Sequence, residues 1–311
     1  MRPTLLIDTD PGVDDALAIL MAHRYADVAG LSVAAGNVGL GHTVANALKL
    51  VEVIGADTPV FAGCPVPLVW PAEDAGFVHG ADGFGDIGYL PSTRRVADEH
   101  AVEAILRLSR ERAGELTLIA LAPLTNLALA LRLDPQLPSR IARLVVMGGA
   151  VTGRGNTHLV PAEFNIGFDP EAAHVVFSGW PEFDLIDWEA CVRHAMDFAW
   201  FDRTVAADGA RAQFYAAISR KARLFNEGHG RRRGMIVADA LAMAVALEPG
   251  IVRKAERRHV GIELTGAATR GATVVDWEDR FRRPANARIV LEVDQERFQA
   301  LVLGALDAAS T

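Results

Sequence analysis

Four carboxylates fall within one short stretch near the start of the chain, Asp8-Thr9-Asp10-Pro11-Gly12-Val13-Asp14-Asp15. Acids packed into one cleft repel and raise each other's pKa. A hard divalent cation, which prefers oxygen ligands, resolves that conflict. The apolar run Leu5-Leu6-Ile7 leads into the cluster and Leu17-Ala18-Ile19-Leu20-Met21-Ala22 follows it, an order that reads as strand, Pro-Gly turn and helix. Asp10 then lies near a strand's carboxyl end, and Asp14 and Asp15 lie in a helix's first turn, where the helix dipole also favours acids. Asp239, within Val237-Ala238-Asp239-Ala240-Leu241, reads alone as a helix N-cap. Beside the early cluster it becomes a candidate third carboxylate ligand. Glu163-Phe164-Asn165, with Asn156 before it, forms a second polar island. Asn37 follows a glycine at a strand end, where turn formation is the ordinary explanation.

The elements that must position these residues alternate. Strands are expected over 30–35, 59–62, 116–121 and 143–147, and helices over 43–54, 97–110 and 126–133. Strand-then-helix order with doubly buried strands predicts an α/β fold, a mainly parallel sheet flanked by helices. Ligands of such sheets bind beyond the strands' carboxyl ends. Asp10, Asn37, Leu121 and Met147 all fall at such ends and point to one crevice. Further on, helices are expected over 201–225 and 239–247, with the loop Asn226-Glu227-Gly228-His229-Gly230 between them. Three alternating segments within 258–292 predict extra edge strands near the C-terminus, and a last helix covers 295–308. With no internal repeat and no linker, 1–311 reads as a single domain.

Composition narrows the partners. Half the residues are hydrophobic and 23% are charged, so the chain can bury a large core. A formal net charge of -8 argues against nucleic acid or an anionic membrane as partner. Arg231-Arg232-Arg233 is too short a run to change that and reads as a solvated loop. Cys64 and Cys191 make neither a disulfide framework nor a thiolate metal pattern, and read as small buried hydrophobes. No signal-peptide pattern and no apolar span of membrane length are present, so the protein is expected to be soluble and cytoplasmic.

Taken together, the motifs resemble the calcium-dependent nucleoside hydrolases, the inosine-uridine-preferring superfamily, over nearly the whole chain. The stretch from Asp8 to Ala16 is similar to that family's N-terminal signature. Supporting matches are Gly36-Asn37-Val38, Val78-His79-Gly80, Ala122-Pro123-Leu124-Thr125-Asn126, Met147-Gly148-Gly149, Ala162-Glu163-Phe164-Asn165 and Ile262-Glu263-Leu264-Thr265-Gly266. The resemblance implies one domain with a Rossmann-like core, assembled as a homodimer or homotetramer, and a small-molecule nucleoside as substrate. It implies Ca2+ held by Asp10, Asp15, Asp239 and the backbone carbonyl of Leu121. Asp10 would be the general base on the attacking water, and Asn37 would help hold water and sugar. Asp14 and Asn165 would meet the ribose hydroxyls, Met147, Asn156 and Glu163 would surround the 5′-hydroxyl, and Phe164 and Asp239 would also bind the substrate.

One position departs from the family's pattern. The residue before the last calcium aspartate is histidine in the best-known branch and tryptophan in another; here it is Ala238. Neither protonation nor stacking is open to a methyl group. His79 is then a catalytic candidate facing the nucleobase, His229 in its glycine-flanked loop is a candidate lid residue, and Trp70 is a candidate base-stacking residue. Ala238 also keeps two other functions open: hydrolysis of another N-ribosyl conjugate, or a catalytically silent calcium and ribose binder. A haloacid-dehalogenase-type phosphatase would explain Asp8-Thr9-Asp10, but it leaves Asp14-Asp15 without a role and lacks a lysine in a fitting motif.

Overall fold

The computed structural model describes residues 2–228 and 234–306. Nine strands form one sheet: β1 (Thr4–Thr9), β2 (Asp27–Val33), β3 (Val60–Ala62), β4 (Leu116–Ala120), β5 (Arg143–Met147), β6 (Phe183–Ile186), β7 (Val252–Ile262), β8 (Thr273–Asp276) and β9 (Ala287–Val293). Their order across the sheet is β3-β2-β1-β4-β5-β6-β9-β7-β8. From β3 to β9 every pairing is parallel; β7 and β8 add antiparallel pairs. The α/β reading therefore holds.

Side-chain alternation along β1 builds the two faces. Leu5 and Ile7 pack with the helices Val13–Tyr25, Ala238–Leu247 and Gln295–Ala305; Leu6 packs with Ala101–Glu111, Thr125–Leu133 and Pro170–Gly179. Both faces being covered explains why Leu116–Ala120 and Arg143–Met147 read as nearly continuous apolar runs. The chain progresses outward in one direction from β1 to β3 and in the other from β4 to β6. The topological switch thus lies between β1 and β4, where a crevice opens beyond the carboxyl ends.

Three expectations need correction. The strand Ala287–Val293 is not an edge strand but lies inside the sheet, parallel to β6; the hairpin partners β7 and β8 form the edge. Its inner neighbour, Phe183–Ile186, is too short to stand out from sequence periodicity. The helix expected over 201–225 is two helices, Phe198–Val205 and Ala210–Gly228, interrupted around Asp208-Gly209. The helix expected from residue 97 begins at Ala101, because the His100 side chain accepts from the Val102 N–H and Ala97 pairs with Phe61 instead. The last helix is described as far as Ala305. His229 and Arg231-Arg232-Arg233 lie outside the described residues, and with them the lid reading. Among the described residues, no helix is long and apolar enough to cross a membrane.

Candidate active site

Two helix N-termini converge on the crevice. The helix Val13–Tyr25 presents Asp14 and Asp15 in its first turn, and the helix Ala238–Leu247 presents Asp239 in its own. Asp239 is therefore not the N-cap, which is Val237; it is a buried first-turn acid. One carboxylate oxygen from each of Asp14, Asp15 and Asp239 lies within 4.8 Å of the others. The backbone N–H groups of Asp239 and Ala238 also reach the Asp14 carboxylate, so the second helix helps hold an acid carried by the first.

Asp15 is fixed on all sides. Its Oδ1 accepts from the Thr9 hydroxyl at 2.5 Å and the Asp10 N–H at 3.2 Å; its Oδ2 accepts from the Gly12 N–H at 3.1 Å and Asn37 Nδ2 at 2.9 Å. Asp10 is almost wholly buried. Its Oδ2 accepts the Asn37 N–H at 2.6 Å, while Oδ1 finds no hydrogen-bond partner among the described residues. A buried carboxylate oxygen without a partner is costly unless something else neutralises it.

The electrostatics point the same way. Burial, then the charges of Asp15, Asp14 and Asp8, push Asp10 well above the usual carboxylate range. Burial, then Asp14, Asp15 and Asp10, do the same to Asp239. Asp14 is pushed by burial up to about 6, and Asp15 is raised by burial and by Asp14. Among the described residues, no lysine or arginine pairs with any of these four acids. Hard oxygen donors, crowded and lacking a cationic side chain, form a site that fits a divalent cation.

The clustered trio differs from the expected ligand set of Asp10, Asp15, Asp239 and Leu121 in holding Asp14. Asp15 and Asp239 sit in the tight trio, Asp14 joins them, and Asp10 and Leu121 stand alongside. The Leu121 carbonyl accepts Asn165 Nδ2 at 2.6 Å, and the same amide reaches the Met147 carbonyl at 3.2 Å. Asn165 therefore ties β4's end to β5's end across the crevice floor.

The pocket is lined by Asp14, Asn37, His79, Leu121, Met147, Asn156, Glu163, Phe164, Asn165 and Asp239, which brings together the residues expected to hold the cation and the sugar except Asp10 and Asp15. Glu163 caps the short helix Phe164–Phe168, accepting from the Asn165 and Ile166 N–H groups, and it also accepts from the Gly149 N–H at 2.9 Å. Burial nevertheless holds its carboxyl up to about 7. His79 is buried and held down to about 4 by burial, so it is neutral at neutral pH.

The pocket also has an apolar wall. Phe77, Trp188, Phe225, Met235, Ile236 and Ala238 line it, joined by Asn226. Phe77 and Phe225 meet edge to face with ring centroids 5.7 Å apart. Apart from Ala238, sequence reasoning did not assign these residues to the site. A signal existed for one: Asn226 continues the buried helical stripe through Tyr215, Ile218, Ser219 and Ala222, where a polar amide is out of place. Trp70 does not line this pocket; it is 62% exposed and borders a separate groove near Arg270. Cys64 and Cys191 are free and buried, as expected.

The chain is similar to known proteins over nearly its whole length. The family model described as inosine-uridine preferring nucleoside hydrolase matches residues 5–300. The chain is 35% identical to the non-specific ribonucleoside hydrolase RihC of Klebsiella pneumoniae over 96% of each chain. It is 33% identical to the inosine-uridine preferring nucleoside hydrolase of Crithidia fasciculata, over 99% of this chain and 98% of that one. Among solved structures, an inosine-guanosine nucleoside hydrolase superposes with a TM-score of 0.91 at 34% identity, covering 99% of both chains. A plant nucleoside hydrolase superposes with a TM-score of 0.92 at 29% identity, over 99% of this chain and 100% of that one. The chain belongs to the inosine-uridine preferring nucleoside hydrolase family, and its activity is hydrolysis of the N-glycosidic bond of a ribonucleoside.

Proposed function

We propose that this hydrolase works with Ca2+ held at the aspartate cluster and cuts ribonucleosides whose base leaves along the apolar wall of the pocket. The observation that carries the reading is the trio of carboxylates from Asp14, Asp15 and Asp239 beside the partnerless Asp10 oxygen. When bound there, the cation would orient a water and the ribose hydroxyls and lower the water's pKa. Asp10 would be the general base on the attacking water, its buried carboxylate carrying an oxygen with no hydrogen-bond partner among the described residues. Asn37, which donates to both Asp10 and Asp15, would help hold the water and the sugar. Asp14, Asp239 and Asn165 orient the ribose hydroxyls, and Met147, Asn156, Glu163 and Phe164 close around the rest of the sugar. Bond breaking at C1′ builds positive charge on the sugar, which these fixed carboxylates and dipoles stabilise.

At the apolar wall, a flat base lies between Phe77, Phe225 and Trp188. Ala238 offers it no proton, so the rate depends on how readily the base departs. A panel of inosine, guanosine, uridine, cytidine and p-nitrophenyl riboside, assayed by ribose release, tests this. The activated riboside is expected to be cleaved fastest; inosine matching it would contradict the reading. The same reading takes 1–311 as one domain and places the enzyme in the cytoplasm as a homodimer or homotetramer. The exposed apolar loop with Val66, Val69 and Trp70 supports assembly.

A further inference from the structure

The helix that carries Asp14 and Asp15 begins without a cap of its own. Gly12 occupies the N-cap and has no side chain to accept from the helix's first N–H groups, which need partners when buried. Asp15 reaches back to the Gly12 N–H. The Val13 N–H is answered from far along the chain, by Nδ1 of His79 at 3.1 Å.

We propose that His79 is a positioning residue for the cation site, its imidazole capping the aspartate-bearing helix and locking the turn that aims Asp14 and Asp15. The close approach that this requires is built in. A Cβ at residue 12 would lie 2.7 Å from His79 Nδ1 and 2.8 Å from Asn37 Nδ2, so only glycine lets both side chains close on the turn. Gly12 has φ -104, which any residue adopts, so the demand is for space and not for an unusual backbone. His79 is itself held firmly. Its N–H donates to the Ala75 carbonyl and its carbonyl accepts the Gly85 N–H at 2.6 Å. With Nδ1 accepting, the neutral ring keeps its proton on Nε2.

The arrangement has a consequence beyond anchoring. His79 ends the short helix Gly76–His79, whose Phe77 and Val78 line the pocket. One side chain therefore joins the pocket wall to the turn that leads into Asp14 and Asp15. Binding at the wall and binding at the aspartates are coupled through it, and such coupling is reciprocal.

The inference rests on the aspartate trio being the cation site, and two variants separate it from that reading. His79→Phe keeps ring bulk but removes the acceptor; His79→Asn keeps an acceptor at the Nδ1 position. Calorimetric Ca2+ titration is expected to show affinity weakened ~10-fold or more in His79→Phe and largely retained in His79→Asn, the cost usual for a partner behind a metal ligand. Amide exchange at Val13 should accelerate in His79→Phe alone. Unchanged affinity and exchange in His79→Phe would overturn the proposal, as would equal losses in both variants. A wild-type chain that binds no Ca2+ would defeat the cation reading instead, and the Val13 exchange would still decide whether His79 is the cap.

Discussion

Asp10 and Ala238 divide the site between them. Asp10 carries a buried carboxylate oxygen with no hydrogen-bond partner among the described residues, so its removal should cost chemistry and not folding. Asp10→Ala is expected to lose ~10²–10⁴-fold or more in kcat with its circular dichroism unchanged. Full activity in that variant would remove Asp10 from the role of base. Ala238 works in the opposite sense: Ala238→His adds a donor beside the leaving base, and inosine hydrolysis should rise by ~10-fold or more relative to p-nitrophenyl riboside. The cysteines make a control. Burial pushes the Cys64 thiol up to about 12 and holds Cys191 well above the usual thiol range, so neither should react with a thiol reagent near neutral pH until the chain is unfolded.

The turn between β1 and its helix is where local structure decides function. Gly12→Ala places a methyl against His79 and Asn37, both of which hold the aspartate turn. Overpacking of this kind costs about 1–3 kcal/mol, and here it should weaken cation affinity more than it lowers Tm. A calorimetric and thermal-melting comparison checks that ratio. This turn was also the most legible part of the sequence, because an apolar strand, Pro11-Gly12 and paired first-turn acids are all local signals. Asn37, Leu121, Glu163, Asn165 and Asp239 could be placed because strand ends and the family resemblance located them. The apolar wall was not legible. Phe77 sits on a four-residue helix, Trp188 follows the short strand β6, and Phe225 and Asn226 end a long helix. Their meeting is set by packing of distant elements, which no local period reports. The aspartate trio shows the same limit, since Asp14 shares a tight group with Asp15 and Asp239 only because two helix N-termini converge.

Over the whole molecule, the buried acids set a pH dependence. Burial holds Asp8, Asp14 and Asp187 up to about 6 and Glu163 up to about 7. Unfolded, each would titrate near its ordinary value around 4. Between those limits the folded chain without a cation binds more protons than the unfolded chain, so stability falls as pH rises through the window. His79, His23 and His194 are lowered and act in the opposite direction, but the raised carboxyls outnumber them. The cation-free protein should therefore melt at a higher temperature at about pH 5.5 than at about pH 8, with Ca2+ raising Tm more at the higher pH. A Tm that climbs with pH in chelator would reverse that ordering. The fold supports the same picture: the sheet's topological switch puts Asp10 and Leu121 on neighbouring strand ends, with two helix N-termini facing them. The most direct test is ribose release from a ribonucleoside before and after chelation. The account predicts release that stops in chelator and returns when Ca2+ is restored; release that continues unchanged in chelator would contradict it.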